Sequence, residues 1–317
     1  MKTIHQRLQE FLFPTISDRW LTILRLGLGI QIILYCWSLC ADWNSLFGGD
    51  ASGFITRDLA EAILSTDGRL IPRLGWLVAI GNHLGLREQS TLSVVWISLL
   101  CAGSCLLIGL LCRPAAIVAW FLHLCTVKSA SVLAYGMDNF TTIGLFYLML
   151  APLPDRYALD WRIWQPRARD PHLQGFFQRV LQVHLCIIYF FSGLTKSLAS
   201  DWWDGTSIWR SLTCAPFNII SPDALVPCKY LLTPMGIAVL ILELGYPLFI
   251  WPKRTRLIWL TSILGMHVVI GITMGLYLFS FIMIVLNLAA FGPDMLPLLN
   301  KIAPVQPAAM PQPAKQT

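Results

Sequence analysis

Residues 91–112, TLSVVWISLLCAGSCLLIGLLC, run twenty-two positions without a charged side chain or a proline. A helix crossing the hydrocarbon core of a bilayer needs roughly 20 apolar residues, because its backbone amides find no water there and must bond within the segment. This stretch meets the requirement unaided. Working outward, comparable runs occupy Leu21–Cys40, Pro114–Tyr135, Phe140–Pro154, Phe177–Leu198, Leu231–Trp251, Leu257–Ile272 and Leu276–Phe291. The pattern predicts an all-α fold, a polytopic transmembrane helical bundle of eight spans. The run at Phe140 is short for a crossing. The last two runs come from one apolar stretch too long for a single crossing, and Gly271, Thr273 and Gly275 mark the expected break. The rival count is seven crossings with residues 276–291 re-entrant.

Composition agrees with a membrane setting. Apolar residues make up 56% of the 317 and charged residues 13%, with a mean hydropathy of +0.63. A soluble domain carries about 25% charged residues, so these charges would not clothe a water-facing surface of this size. The net charge of +6 is spread between apolar runs rather than along one face, which argues against nucleic acid as a partner. No secretory signal peptide is expected, since Lys2 and Arg7 lead into a mixed stretch. No metal site is expected either, because the nine cysteines form no CxxC and no Cys/His cluster.

Basic residues orient the spans. With eight crossings and the N-terminus inside, the inner segments hold Lys2, Arg7, Arg19, Arg113, Arg156, Arg162, Arg167, Arg169, Lys253, Arg254, Arg256, Lys301 and Lys315. The outer segments hold only Arg57, Arg69, Arg73, Arg87, Arg210 and Lys229. Thirteen against six favours an N-in, C-in arrangement. Residues 1–20 then form an inner interfacial segment, residues 21–295 the transmembrane domain, and residues 296–317, rich in Pro, Ala and Gln, a disordered tail. Residues 41–90 form a long outer segment in which Phe54–Leu64 has the spacing of an interfacial helix. Cys214 and Cys228 share an outer loop, and a disulfide between them is expected in an oxidising compartment.

Ionisable groups inside spans cost about 2.5–3.5 kcal/mol each on insertion scales, so each demands a reason. They are Arg25, His123, Lys128, Arg179, His184, Lys196, Glu243 and His267. Arg25 and Arg179 lie near inner ends and are expected to snorkel. His123 and His184 read most simply as packed, hydrogen-bonded histidines. Lys128, Lys196, Glu243 and His267 fall on four helices, the first three toward similar outward depth with the imidazole, and Asp138 and Asn139 follow just beyond the helix of Lys128. They are expected either to line one recess open to the outside or to knit the bundle as ion pairs. The segment 189–210, YFFSGLTKSLASDWWDGTSIWR, is the densest in polar and aromatic groups. At helical spacing Tyr189, Ser192 and Lys196 share a face, Gly193 permits close approach of another backbone, and Trp202 and Trp203 sit at an interfacial depth.

That segment resembles the signature of the vitamin K-dependent γ-carboxylase-like, or HTTM, membrane family: an aromatic-rich helix, a Gly, a Lys, then a Trp and a Gly. LILELGYPLFI, with Glu243, and LYLFSFIMIVLNLAAF, preceded by His267, are similar to a second block of that family. With GLLCRP at 109–114 and YGMDN at 135–139, the resemblance spans most of residues 15–295, and its nearest subgroup is the bacterial sporulation-delaying-protein B-like one. The resemblance implies a multi-pass protein of the bacterial inner membrane that modifies or matures a secreted peptide. It implies a reduced isoprenoid quinone, vitamin K-like, as cofactor, and companion maturation proteins as partners. In the family's carboxylase a lysine deprotonates the hydroquinone, oxygen converts it to an alkoxide, and the alkoxide takes a proton from glutamate. The motif puts Lys196 in the base role, with His267 and Glu243 as catalytic companions. Lys128, Asp138, Asn139, Tyr189, Trp202 and Trp203 become substrate-binding candidates. A lysine is a base only when neutral, a form that desolvation or a nearby cation such as Lys128 favours. The resemblance departs where the carboxylase has a histidine for its oxygen chemistry and this chain has Asn139. The chain also ends soon after the last span, so a relative that does not carboxylate glutamate is expected. Two other readings stand beside the enzyme: a non-enzymatic partner for maturation or export of a peptide toxin, and a small-molecule transporter, which would need broken helices in symmetric halves.

Overall fold

The computed structural model describes residues 3–49, 56–68, 70–166, 170–217 and 219–293. The expected disordered tail lies outside these residues, as does the start of the expected helix at Phe54. Every regular element among the described residues is helical. In chain order they are α1 (Ile4–Leu12), α2 (Arg19–Ser38), α3 (Trp43–Phe47), α4 (Arg57–Asp67), α5 (Leu74–His83), α6 (Glu88–Ile108), α7 (Cys112–Ser129) and α8 (Gly136–Leu150). There follow α9 (Leu159–Trp164), α10 (Pro171–Ser197), α11 (Ser200–Trp203), α12 (Thr206–Thr213), α13 (Pro222–Leu225), α14 (Lys229–Phe249), α15 (Lys253–Met274) and α16 (Tyr277–Phe291).

The helices end where local chemistry stops them. Gly109, at φ 81°, closes α6, a conformation that costs a residue without a Cβ little. The next turn is clamped by Asp160, whose carboxylate accepts the amides of Leu111 and Cys112 at 2.8 and 2.7 Å and so caps α7. Gly275, at φ 70°, ends α15 inside the long apolar run. The expected break therefore falls at the last of the marked residues. The chain reverses there, and α16 packs back on α15 with Phe279 against His267 and Ser280 against Gly271.

Five stretches are long and apolar enough to cross a membrane: Arg19–Ser38, Glu88–Ile108, Pro171–Ser197, Pro222–Phe249 and Lys253–Met274. α7, α8 and α16 are shorter and pack antiparallel among them. α2 is the central element, packed against α6, α8 and α16. Trp20, Leu21, Leu24, Leu28 and Ile32 are wholly buried along it, and Gly29 lies so close to α6 that a Cβ there would meet the Leu107 amide at 2.7 Å. Large apolar side chains such as Trp37, Ile97, Ile187, Leu248 and Ile272 stay exposed around the bundle. Such a belt is covered by lipid, and the protein is a multi-pass integral membrane protein.

Arg25 does not snorkel. It is 1% exposed, its Nε donates to Asp155 at 2.5 Å and its Nη1 to the carbonyl of Leu106 at 2.6 Å. The pair locks α2 and α6 to the loop after α8. Among the described residues of 41–87 there are three short helices, α3, α4 and α5. They are tied by Arg57 to Glu88 at 2.5 Å, Arg73 to Glu61 at 2.9 Å, and the Trp43 indole N–H to the Leu92 carbonyl at 2.9 Å.

Candidate functional site

Gly193 sits where α10 and α14 touch. A Cβ there would meet the Leu244 amide nitrogen at 2.9 Å and the Glu243 Cβ at 3.0 Å. Because glycine lets the backbones close to that distance, Lys196, a turn further along α10, reaches Glu243 on α14. Its Nζ donates to both carboxylate oxygens, at 2.5 and 2.6 Å, and to Ser192 Oγ at 3.0 Å. The Trp202 ring stands 5.2 Å from the same ammonium, within cation–π range. All three N–H bonds of Nζ thus have an acceptor. Glu243 is 5% exposed and Lys196 24%.

These groups line a cavity of about 510 Å³ between α10, α12, α14, α15 and α16. Its walls are mainly apolar, among them Ile188, Leu212, Val239, Met266 and Phe279. Polar groups are fewer: Tyr189, Ser192 and Lys196 from the shared face of α10, Glu243 from α14 and His267 from α15, with the hydroxyls of Ser211, Ser262 and Thr273. The expected juxtaposition of Lys196, Glu243 and His267 is therefore present in space, with Tyr189 and Trp202 beside it. Behind the wall, the Tyr189 hydroxyl lies 2.8 Å from His267 Nε2 and accepts from Asn287 Nδ2 at 2.8 Å. Asn287 Oδ1 in turn accepts the Tyr246 hydroxyl at 2.7 Å. A space of this size, apolar with a few polar groups, has the form of a small-molecule site.

The other candidates lie elsewhere. Lys128 is half-buried on α7 and does not line this cavity. Asp138 lines a separate space of about 180 Å³ with Tyr35 and Ala130. Its Oδ2 accepts the Tyr135 amide at 3.0 Å, which makes it the cap of α8. Asn139 and Trp203 are exposed, and the Trp203 indole N–H donates to the Ser197 carbonyl at 2.9 Å, closing the end of α10. Cys214 and Cys228 are exposed free thiols, and the expected disulfide between them is not formed. Two residues escaped the sequence reading. Asn287 carries an amide in the middle of an apolar helix, a costly placement that is itself a signal, and Tyr246 lies one turn after Glu243.

An acid–base pair and an imidazole on the wall of an apolar cavity, within a bundle of long apolar helices, define the class: a multi-pass helical membrane protein with a polar cluster inside it. The HTTM domain matches residues 80–294, and the chain belongs to the HTTM family. The match takes in α6 to α16 and with them every group on the cavity wall named above. Comparison with curated proteins and with solved structures finds no match.

Proposed function

We propose that this HTTM protein is a membrane enzyme that takes a proton from a lipid-soluble quinol at Lys196 while a secreted peptide is modified or matured. The observation that carries the reading is the Lys196–Glu243 pair on the wall of an apolar cavity of about 510 Å³. The pair holds one proton fewer than it has sites for. A hydroxyl proton is taken up by the carboxylate directly, or by Lys196 once it has passed its own proton to Glu243. His267 and Tyr189 orient the bound molecule, and the apolar walls keep water away. Glutamate carboxylation is not part of the proposal, given Asn139.

The same proposal takes α2, α6, α7, α8, α10, α14, α15 and α16 as eight crossings, with both termini inside and the cavity toward the outer face of a bacterial inner membrane. What supports it is the excess of arginine and lysine in the segments assigned inside. The order of the quoted motifs supports the sporulation-delaying-protein B-like subgroup and, with it, companion maturation proteins. A second reading has one observation in its favour. Because every N–H of Lys196 is already engaged, the pair also suits a static tie in a non-enzymatic partner for toxin maturation or export.

Protein purified in mild detergent is expected to carry an isoprenoid quinone that Lys196→Ala loses, measured by extraction and mass spectrometry. A Lys196→Met variant with full activity in a peptide-maturation assay would reject the base role and leave the partner reading.

A further inference from the structure

Asp138 caps α8 with one oxygen and leaves the other unused. Oδ2 accepts the Tyr135 amide at 3.0 Å, and Oδ1 has no hydrogen-bond partner among the described residues. The residue is 6% exposed, and no described cation stands within ion-pair distance of it. Tyr35 is 5% exposed and held edge-on against His123, with ring centroids 5.0 Å apart. Its hydroxyl likewise has no partner among the described residues. Both oxygens reach open space, unlike His123 Nε2, which is sealed in. That space is the cavity of about 180 Å³ that both residues line. A carboxylate drawn out of water without a cation is costly, and the positive end of α8 offsets only part of that cost.

The lining selects the kind of cation. Leu39, Leu46, Val127, Leu133, Met137 and Leu278 make much of the wall, so a hard metal ion would not find the roughly six to eight oxygens it takes. An alkylammonium suits both parts of the lining. Its N–H groups have Asp138 Oδ1 and the Tyr35 oxygen to meet, its carbons have the apolar wall, and the rings of Tyr35, Phe47 and Tyr135 favour a cation. No lining residue is basic, so the phosphate beside the amine of an ethanolamine lipid would be brought to the carboxylate unscreened. The volume lies below the roughly 300–1,000 Å³ of sites for whole drug-sized ligands and suits a single side chain. We infer that this cavity binds the primary amine of a lysine side chain from a polypeptide, with Asp138 as counter-ion and Tyr35 as second acceptor. Its mouth is at Ser38, Leu133 and Tyr135, the exposed members of the lining. The start of α16 separates it from the larger cavity: Leu278 lines the smaller space, Leu276 and Phe279 the larger. The site stands whether or not the larger cavity takes a quinol, and it gives a peptide a point of attachment beside that cavity.

The test uses the full-length protein in neutral detergent and two probes that differ at one group. Nα-acetyl-lysine methylamide carries the amine, and Nα-acetyl-norleucine methylamide keeps the stem without it. Saturation-transfer NMR titrations are expected to show wild-type protein preferring the lysine probe by about tenfold or more, the worth of a hydrogen bond to a charged group. Asp138→Asn still offers α8 an amide oxygen as its cap. It is expected to cut the preference to less than about twofold while leaving the norleucine affinity unchanged. Tyr35→Phe, which keeps the ring, is expected to reduce the preference in part. Leu133→Trp leaves Asp138 in place and narrows the exposed mouth, and it is expected to weaken the lysine probe severalfold even if the Asp138 variant fails to fold. Equal binding of the two probes by wild-type protein would overturn the inference, as would a lysine preference that survives Asp138→Asn. In nanodiscs, adding phosphatidylethanolamine to phosphatidylcholine is expected to leave the lysine affinity unchanged. Loss of lysine binding in the ethanolamine-containing discs would give the site to a lipid headgroup and overturn the assignment. Quinone retention at Lys196 is read separately, so neither result decides the other.

Discussion

Lys196 and Glu243 depend on each other to unequal degrees. The carboxylate is 5% exposed and the ammonium 24%, so a stranded Lys196 still reaches polar surroundings and a stranded Glu243 does not. Breaking a buried pair by removing one partner costs about 3–5 kcal/mol, whereas replacing both is often near neutral. Lys196→Met is therefore expected to destabilise more than Glu243→Gln, with the double variant recovering most of the loss, read by thermal unfolding in detergent. A double variant as unstable as the sum of the singles would mean that side-chain packing, not charge, dominates. The double variant also separates folding from function: it is expected to fold and to carry no quinone. The pairing itself was hard to foresee. Lys196 and Glu243 are 47 positions apart, on helices whose rotation about their axes is decided by packing. What could be read was that Tyr189, Ser192 and Lys196 share a face of one helix, because that follows from the helical repeat alone. Lys128, Asp138 and Asn139 join the same group by depth and by the resemblance of the YGMDN stretch, and neither says which way a side chain turns. Asp138 spends one carboxylate oxygen on the start of α8 instead.

At the scale of elements, the contact between α10 and α14 is the one the site cannot do without. Gly193 sets its spacing, and the atoms a Cβ would meet include backbone, which cannot swing aside as a side chain can. Gly193→Ala is expected to cost about 1–3 kcal/mol, the range for an overpacked contact, and to weaken quinone retention by parting Lys196 from Glu243. Gly265 is a control on α15: nothing lies within 4 Å of a Cβ there, so Gly265→Ala is expected to leave unfolding temperature and quinone content near wild type. Long apolar helices were legible from sequence because lipid solvation demands unbroken apolar runs, and α2, α6, α10, α14 and α15 fall where those runs lie. The short helices α3 and α5 were not. Neither has a run long enough to show a period, and what holds the region is the set of ties from Arg57 and Arg73 to acids that sequence distance hides. Arg25 misled for the same reason, since Asp155 lies 130 positions away in a loop.

For the whole molecule, the alternation of long helices leaves two ends of different character. One carries α3–α5 and α11–α13, with Cys214 and Cys228 exposed as free thiols. The other carries α1 and α9, with Arg156 and Arg162 exposed, and holds the buried Arg25–Asp155 pair. The cavity lies toward the first end, since it is bounded by Ile208 and Leu212 of α12 and by Met274 at the close of α15. Orientation therefore decides whether the proposed role is open to the protein: a peptide being exported meets the cavity only if the first end faces out. The basic residues favour that arrangement, because translocating a short loop rich in lysine and arginine is disfavoured. A membrane-impermeant maleimide applied to intact cells is accordingly expected to label Cys214 and Cys228. An Arg162→Cys variant in a background lacking those two thiols and the exposed Cys40 is expected to label only after the membrane is opened. Labelling of Cys214 and Cys228 that appears only with reductant would restore the disulfide while keeping the orientation. Labelling of the Arg162→Cys thiol in intact cells would place the cavity on the cytoplasmic side, where a quinol from the bilayer still reaches it but an emerging secreted peptide does not.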